Sequence, residues 1–300
     1  MSSLQENKVF ELTPLPPSKQ AIKCRWVYRI KYLADGTVDR YKSRLVAKGF
    51  LQRPGTDFNE TFSPVMRYDS MRLILSIASI FKMKIEQFDV TTAFLYGELD
   101  EELYMEQPPG FQDGTNNVCR LLKGLYGLKQ APRQWNTKFD ECLKNLGLKR
   151  CESDRCVYVA HDKGELTILA LYVDDGLLSS TSLHAINRIV SSLSQTFKIK
   201  FGQANRFVGM EIIKDLDGIK IHQSSCIKKL LERFNMQNCK AVSTPGTPQL
   251  KLTSESSANS AIPYRELIGA LMFLTSVSRP DIAFEVSRAA QSMSSYNEEH

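Results

Sequence analysis

Several features that would assign a chain to a membrane, secreted or zinc-binding class are missing from these 300 residues. No apolar run approaches the ~18 residues of a membrane span, and the N-terminal region lacks the basic-then-apolar pattern of a signal peptide. The seven cysteines form no CxxC pair, and the four histidines form no HExxH motif. These absences predict reduced, mostly buried thiols in a reducing compartment and argue against a zinc site.

The net charge of +6 is concentrated in one segment. Between Lys19 and Arg53 there are ten Lys/Arg and two Asp/Glu, a balance of +8, so the rest of the chain sums to −2. A local excess of this kind predicts a polyanionic partner near the segment. A solvated strand face would produce the same count, and the residues alone leave both interpretations open.

The spacing of apolar residues predicts a mixed α+β fold. Apolar and basic residues alternate on both sides of Asp35-Gly36, which predicts a β-hairpin over 24–50, and a second hairpin is predicted to turn at Asp217-Gly218. Helical patterns cover 68–84, 132–147, 183–197, 226–236, 264–278 and 279–296. In the second of these helices, Trp135 and Phe139 are expected to face the core.

Capping residues and the order of elements refine this fold. Asp69 or Ser70 is expected to cap the helix over 68–84, and Ser182 the helix over 183–197. The middle of the chain runs strand, helix, hairpin, helix, strand. That order is compatible with an antiparallel sheet that carries two helices on one face.

Two adjacent carboxylates, Asp174 and Asp175, interrupt the apolar run LTILALYVDDGLLSST. Buried like charges are costly unless something neutralises them. The residues alone leave two interpretations open, a solvent-exposed hairpin turn at Asp-Asp-Gly and a metal site. In the predicted sheet Asp89, at the end of a strand, can lie beside this hairpin. Three converging carboxylates would suit two Mg²⁺ ions that promote phosphoryl transfer.

A series of motifs, in a fixed order, carries a resemblance to a known family. The motifs are CRWVYRIKYLADGTVDRYKSRLVAKGFLQRPGTDFNETFSPV, QFDVTTAFLYGELDEELYMEQPPGF, LLKGLYGLKQAPRQW, YVDD, FVGMEI and YRELIGALMFLT…RPDIAFEVSR. Across residues 8–300 they resemble the reverse transcriptase of copia-type LTR retrotransposons, a segment of their Pol polyprotein.

The resemblance implies a right-hand polymerase fold, with a palm built on an antiparallel sheet backed by helices. Residues 1–20 would be a leader, 21–225 fingers and palm, 226–251 a thumb-like segment, and 252–300 a linker and partial connection toward an RNase H domain. The implied function is RNA-directed DNA polymerase. It would extend a primer on an RNA or DNA template from dNTPs by two-metal nucleotidyl transfer, with Mg²⁺ or Mn²⁺.

The resemblance also implies roles for single residues. Asp89, Asp174 and Asp175 match the catalytic, metal-binding triad, and the carbonyl of Val90 would be a further metal ligand. Phe94 stands at the position that senses the sugar. The implied nucleotide contacts are Lys42, Arg44, Lys48, Tyr126 and Gly127. The implied primer and template contacts are Lys31, Phe207, Val208, Gly209, Met210 and Glu211.

Some positions depart from the family pattern. Gly176 replaces the bulky apolar residue usual after YVDD, and Lys200-Phe201 replaces a common Asp-Leu pair. Neither departure is expected to touch the triad, but Lys200-Phe201 could alter the loop beside the active site. Protease, integrase and RNase H stretches are not found in the chain, which is therefore expected to be a fragment, a truncated copy or a domesticated relic. The resemblance implies a cytoplasmic virus-like particle with a nuclear phase, and no membrane partner.

Other interpretations remain open. The chain could be a catalytically inactive nucleic-acid-binding remnant, although an intact triad argues against this. An RNA-dependent RNA polymerase is disfavoured by the YVDD context and by Phe94. Phe94 could instead be a core residue. Glu98, Glu101 and Glu102 could contribute metal ligands, but a surface loop is the expected interpretation.

Overall fold

The computed structural model describes residues 1–33, 36–162, 164–246, 263–297 and 300. Its helices are α1 Ser2–Glu6, α2 Tyr68–Ile80, α3 Ala131–Asn145, α4 Leu183–Thr196, α5 Ser224–Arg233, α6 Tyr264–Val277 and α7 Ala283–Ala290. Its strands are β1 Phe10–Thr13, β2 Ala21–Ile22, β3 Cys24–Tyr32, β4 Val38–Ala47, β5 Lys84–Val90, β6 Glu98–Met105, β7 Val118–Lys123, β8 Lys149–Arg150, β9 Val157–Asp162, β10 Glu165–Tyr172, β11 Asp175–Ser180, β12 Ile199–Gln203, β13 Arg206–Phe207, β14 Met210–Asp215 and β15 Gly218–His222. The predicted mixture of helix and sheet is confirmed. Asp35 and most of the predicted linker, residues 252–262, lie outside the described residues.

The chain divides into two compact units. The first unit comprises Met1–Ser70 and Phe81–Gln203, and the second comprises Met71–Ile80 and Ala204–His300. The functional boundaries expected after residues 20, 225 and 251 stay a prediction. Among the described residues, no helix combines the length and apolar character that crossing a membrane requires.

A six-stranded sheet forms the centre of the first unit. Its order is β12-β5-β11-β10-β9-β8, and every neighbouring pair is antiparallel. Side chains from α3 and α4 meet the strands in one core, in which Trp135, Phe139 and Leu193 are 1%, 0% and 0% exposed. The predicted antiparallel sheet with two helices on one face is therefore present, and Trp135 and Phe139 face its core as expected.

The remaining strands of the first unit form a four-stranded sheet, β1-β7-β6-β2, and the β3–β4 hairpin. The hairpin is long and mostly solvent-exposed away from its base. At the base, Leu45 and Ala47 pack into a second core with residues of β6 and β7. The hairpin is thus anchored at one end and projects its basic strands outward.

The predicted caps had different outcomes. Ser182 caps α4 as expected, since its hydroxyl accepts a hydrogen bond from the Ala185 amide at 3.3 Å. The cap predicted at Asp69 or Ser70 is wrong, because α2 already begins at Tyr68. The Ser70 hydroxyl instead donates to the carboxylate of Asp154 at 2.6 Å, and the same oxygen accepts the Arg67 amide at 3.1 Å. A carboxylate distant in sequence therefore serves this helix start.

The second unit contains the β13-β14-β15 sheet and helices α5 to α7. The hairpin predicted to turn at Asp217-Gly218 is confirmed, because β14 and β15 pair with Asp215 opposite Gly218. In α6, Tyr264 stacks on Tyr296 with ring centroids 4.6 Å apart. The helices predicted over 264–278 and 279–296 correspond to α6 and α7, the second of which is shorter than expected.

At Gly176, an aromatic ring occupies the space that a side chain would need. Gly176 on β11 stands opposite Phe88 on β5. A Cβ atom built on Gly176 would lie 1.9 Å from Cζ of Phe88, which is itself 1% exposed. The glycine therefore lets the two strands close over the Phe88 ring.

We expect Gly176→Ala to lower the free energy of unfolding by about 1–3 kcal/mol, because the added methyl group overpacks a rigid core. The double variant Gly176→Ala/Phe88→Leu should lose less free energy of unfolding than the sum of the two single variants, by about 1 kcal/mol or more. Urea denaturation measures both quantities. Gly202→Ala on β12, where a Cβ meets nothing within 4 Å, is the matched control and should be tolerated. Strict additivity of the two core changes would contradict the packing explanation.

Candidate active site

Strand pairing brings the three predicted carboxylates to one edge of the six-stranded sheet. Asp89 on β5 stands directly opposite Asp175, the first residue of β11. The Val90 amide donates to the carbonyl of Asp174 at 2.8 Å. Since residues directly opposite each other share a face of the sheet, Asp89 and Asp175 project together, away from the core that Phe88 fills.

The turn that carries Asp174 is held in a strained conformation. Val173 and Asp174 connect β10 to β11, and Val173 has φ of 60°. The left-handed region is unfavourable for a β-branched residue, at a cost of about 1–3 kcal/mol. The indole N–H of Trp135 donates to the Val173 carbonyl at 2.6 Å. The backbone before Asp174 is therefore fixed from the core side.

Burial and mutual repulsion act on the protonation of this cluster. Asp89 is exposed, while Asp174 and Asp175 are half-buried. Burial, with the charges of Asp174 and Asp89 added, raises the pKa of Asp175 to about 6. Burial also raises the pKa of Asp174, and the nearby charges of Lys42 and Arg44 oppose that rise. Both carboxyl groups are thus displaced from their ordinary pKa in the same direction, as carboxyl groups at functional sites often are.

The chemistry of these donors fits a hard divalent cation. Carboxylate oxygens are the ligands that Mg²⁺ prefers, and a cation would relieve the repulsion that raises the pKa of Asp175. In the part of the chain that the structure describes, no group of three or more His, Cys, Asp or Glu side chains is arranged to hold a metal ion. The three carboxylates share an edge, but they do not form a closed coordination shell.

One face of the β3–β4 hairpin is cationic. Residues that alternate along each strand share a face, and so do residues opposite each other. The register pairs Arg29 with Lys42 and Lys31 with Arg40. The basic residues on this face, which we call the cationic face, are Arg25, Arg29, Lys31, Arg40, Lys42 and Arg44. Arg25, Arg29 and Arg40 are not among the contacts predicted from the sequence. Strict alternation of side chains over 24–32 and 38–47 could have assigned them to the same face as Lys31, Lys42 and Arg44.

Two of these cations act on the carboxylates. The charge of Asp89 favours the protonated form of Lys42, while burial and the neighbouring Arg44 lower the pKa of Lys42. Lys42 and Arg44 in turn stabilise the charged form of Asp174. Lys31 is exposed near the tip of the hairpin. Lys48 follows the end of β4, and its charge acts on the Cys24 thiol.

An aromatic pair lies beside Arg44. The guanidinium of Arg44 lies 5.1 Å from the ring centroid of Tyr126, which meets the Phe94 ring edge-on at 4.9 Å. The Ala47 amide donates to the Tyr126 carbonyl at 2.8 Å. Gly127, with φ of 92°, makes this approach possible, since a Cβ there would lie 2.1 Å from the Ala47 carbonyl oxygen. The structure thus brings Arg44, Tyr126 and Phe94 together.

Comparison with known proteins identifies the family. The family model described as reverse transcriptase (RNA-dependent DNA polymerase) matches residues 7–248. The chain belongs to the reverse transcriptase family. It is 43% identical over 314 aligned residues to the retrovirus-related Pol polyprotein from transposon TNT 1-94 of Nicotiana tabacum, and 40% identical over 300 to the one from transposon RE1 of Arabidopsis thaliana.

The two plant relatives are much longer proteins. The alignments cover 100% and 98% of this chain but 24% and 20% of the polyproteins. A putative transposon Ty5-1 protein of Saccharomyces cerevisiae is 33% identical over 205 residues, which are 66% of this chain and 67% of that protein. The predicted similarity to copia-type transposon Pol polyproteins is therefore confirmed.

The two positions expected to depart from the family pattern lie next to the triad in the sheet. β12 pairs with β5 so that Lys200 stands directly opposite Asp89, and Gly176 follows Asp175 in the same strand. The expectation that neither departure touches the triad is wrong for Lys200, because its strand is the sheet neighbour of Asp89. Phe201 turns to the core, where its ring lies 5.5 Å from Phe88.

The acidic residues near Asp89 in sequence have structural partners. Glu98 pairs with Lys138 at 3.5 Å, and Glu102 pairs with Lys19 at 3.1 Å. Glu101 accepts hydrogen bonds from the Asn59 amide and from the side chain of Gln130. These contacts support the surface interpretation over that of metal ligands.

The predicted primer contacts of the reverse transcriptase lie in the second unit. Phe207 and Met210 are both fully buried, at 0% exposure. Glu211 accepts the Ser225 amide at 3.2 Å and pairs with His222 at 2.8 Å. Val208 and Gly209, with φ of 45° and 80°, form the turn between β13 and β14 and are partly exposed. Of the five residues, Phe207 and Met210 are buried, while Val208, Gly209 and Glu211 are partly exposed.

The raised pKa of Asp175 predicts a pH dependence of stability in the metal-free protein. The folded state binds the Asp175 proton more tightly than the unfolded state does, so stability should be lost as the pH rises through about 6. Asp175→Asn should weaken this slope and raise Tm at pH 7.5 by about 2–4 °C, the shift that about 1 kcal/mol produces in a domain of this size.

Melting curves between pH 4 and 8 in the presence of EDTA measure this effect, because the loss runs from pH 3.8 to about 6. Asp162→Asn, at an exposed position at the end of β9 in the same sheet, is the matched control and should leave the profile unchanged. An Asp175→Asn profile that coincides with wild type would show that burial and the neighbouring charges do not destabilise the ionised Asp175 side chain.

Proposed function

We propose that this chain is an RNA-directed DNA polymerase that extends a primer on an RNA or DNA template. The observation that carries the proposal is the register that sets Asp89 opposite Asp175, next to Asp174 and to two cations of the cationic face. Acidic and basic groups in this combination suit phosphoryl transfer, in which charge develops on both the attacking and the leaving oxygen.

Asp89, Asp174 and Asp175 would hold two Mg²⁺ or Mn²⁺ ions, with the Val90 carbonyl as a further ligand. The ions would supply an activated primer 3′-hydroxyl and neutralise charge on the leaving pyrophosphate. The protein's own contribution is to hold the carboxylates. The β5–β11 pairing fixes two of them, and the hydrogen bond from Val90 to the Asp174 carbonyl fixes the third.

The cationic face would bind the triphosphate and the nucleic-acid backbone. The charges of Lys42 and Arg44 both stabilise the charged form of Asp174. Their effect on this carboxylate supports a role at the triphosphate. Lys48 would contact the triphosphate or the template, and Lys31 is the weaker candidate for a template contact. Tyr126 and Gly127 would support the incoming base pair, since Tyr126 is held between Arg44 and Phe94.

The right-hand arrangement is part of this proposal. The β3–β4 hairpin would belong to the fingers, the six-stranded sheet with α3 and α4 to the palm, and 226–251 to the thumb. The Val208–Gly209 turn would contact the primer through its backbone. Integrase and RNase H segments of a Pol polyprotein would be its natural partners, in a cytoplasmic virus-like particle with a nuclear phase.

Asp174→Asn or Asp89→Asn should abolish primer extension on an RNA template with dNTPs and Mg²⁺, because each removes a metal ligand. Binding of duplex should stay intact or tighten, since a charge that repels phosphates is lost. Gel extension and fluorescence anisotropy measure the two properties, with Asp162→Asn as the control. Extension by either variant at more than about a few per cent of wild type would contradict the triad assignment.

Duplex binding without extension by the wild-type protein would favour the inactive nucleic-acid-binding alternative.

Phe94→Val should allow ribonucleotides to be incorporated while largely preserving dNTP use. A steric wall rejects an added 2′-hydroxyl more readily than hydrogen bonding does. The added hydroxyl leaves no polar group of the site without a hydrogen-bond partner, so hydrogen bonding imposes no penalty on it. Overpacking costs about 1–3 kcal/mol, which at ~1.4 kcal/mol per factor of ten is roughly ten- to hundredfold discrimination. Values of kcat/KM for dCTP and CTP measure the change.

The partial burial of Phe94 makes a stability control necessary. Leu95→Val, at the adjacent buried position of the same 3-10 helix, Ala93–Tyr96, should lower Tm without altering the CTP/dCTP ratio. An unchanged ratio in Phe94→Val, together with a lowered Tm, would show that Phe94 is a core residue only.

A further inference from the structure

We propose that Trp135 is a positioning residue for the turn that carries Asp174, an inference that rests on the proposed polymerase function. Trp135 lies on α3 and is 1% exposed. Its indole N–H donates to the carbonyl of Val173 at 2.6 Å. That carbonyl belongs to the residue immediately before Asp174, so the bond acts on the backbone from which the carboxylate projects.

The conformation of the turn explains why it needs such a bond. Val173 is a β-branched residue with φ of 60°, a conformation that persists only where the surroundings impose it. The next carbonyl, of Asp174, accepts the Val90 amide at 2.8 Å. Two successive carbonyl groups are thus held from two different elements, α3 and β5. The peptide between them cannot rotate without breaking one of these bonds, which fixes the direction of the Cα–Cβ bond of Asp174.

The indole is itself held in place by other aromatic rings. Trp135 lies 5.2 Å from Phe139, 5.3 Å from Phe197 and 6.1 Å from Tyr96, measured between ring centroids. The Tyr96 hydroxyl accepts the Lys198 amide at 2.9 Å, which ties this group to the start of β12. These rings restrict the tilt of the indole and so support the direction of the donor N–H. Preorganisation of this kind is what a metal-binding carboxylate needs from its surroundings.

Trp135→Phe removes the donor and keeps an aromatic ring in the core. We expect kcat for primer extension to fall about ten- to hundredfold, since misplacement of a reacting group by about 1 Å has effects of this size. The KM for dNTP should stay close to wild type, and the Mg²⁺ concentration for half-maximal activity should rise. Leu143→Ala is the matched control, because Leu143 is a fully buried residue of the same helix and core but is neither the donor to the turn nor one of the rings around the indole. It should lower Tm and leave the Mg²⁺ requirement unchanged.

Hydrogen–deuterium exchange supplies a readout that does not require catalysis. In Trp135→Phe, amide exchange across residues 173–176 should accelerate more than in Leu143→Ala at equal stability. Equal kinetics and equal exchange in the two variants would overturn the positioning role. If the wild-type protein does not extend primers, the proposed function fails, and the exchange comparison still decides whether Trp135 holds the turn.

Discussion

The antiparallel pairing of β5 with β11 is the constraint on which the rest of the site depends. It places two aspartates, Asp89 and Asp175, directly opposite each other, an arrangement that repulsion would disfavour. The strands are held together from the other face, where Gly176 closes over the Phe88 ring in the core. Apolar packing on one face thus maintains a cluster of like charges on the other.

The energetic consequence of this pairing is a site that favours cations. Burial and neighbouring carboxylates raise the pKa of Asp175 to about 6. Above that pH the carboxylate is charged although its surroundings disfavour the charge. The cationic face supplies part of the compensation through Lys42 and Arg44. A metal ion would supply the remainder, and the exposed position of Asp89 leaves room for a ligand to approach.

Backbone strain near the carboxylates has a structural support in each case. Val173 adopts φ of 60° and its carbonyl is held by Trp135. Thr92, with φ of 58°, precedes the 3-10 helix that carries Phe94, and the preceding Thr91 amide donates to the Lys198 carbonyl at 2.9 Å. Residues in such conformations tend to occur at functional sites, where the surroundings over-determine the backbone.

The sequence by itself determined the local elements and the family. Helices and hairpins follow from the period of their apolar residues, and the alternation over 24–50 predicts a hairpin with basic side chains on one or both faces. These features are local, because φ/ψ preferences and side-chain period act over a few residues. The ordered motifs identified the reverse transcriptase family for a similar reason, as they are contiguous stretches of sequence.

Only the tertiary structure decided which distant residues meet. Asp89 and Asp174 are 85 positions apart, and no spacing rule relates them. The register that pairs Asp89 with Asp175, and also sets Lys200 opposite Asp89, results from how Phe88 packs in the core. The Asp154 carboxylate at the start of α2 has the same origin. Strand register and side-chain partners of this kind depend on the fit of whole elements, which local patterns do not encode.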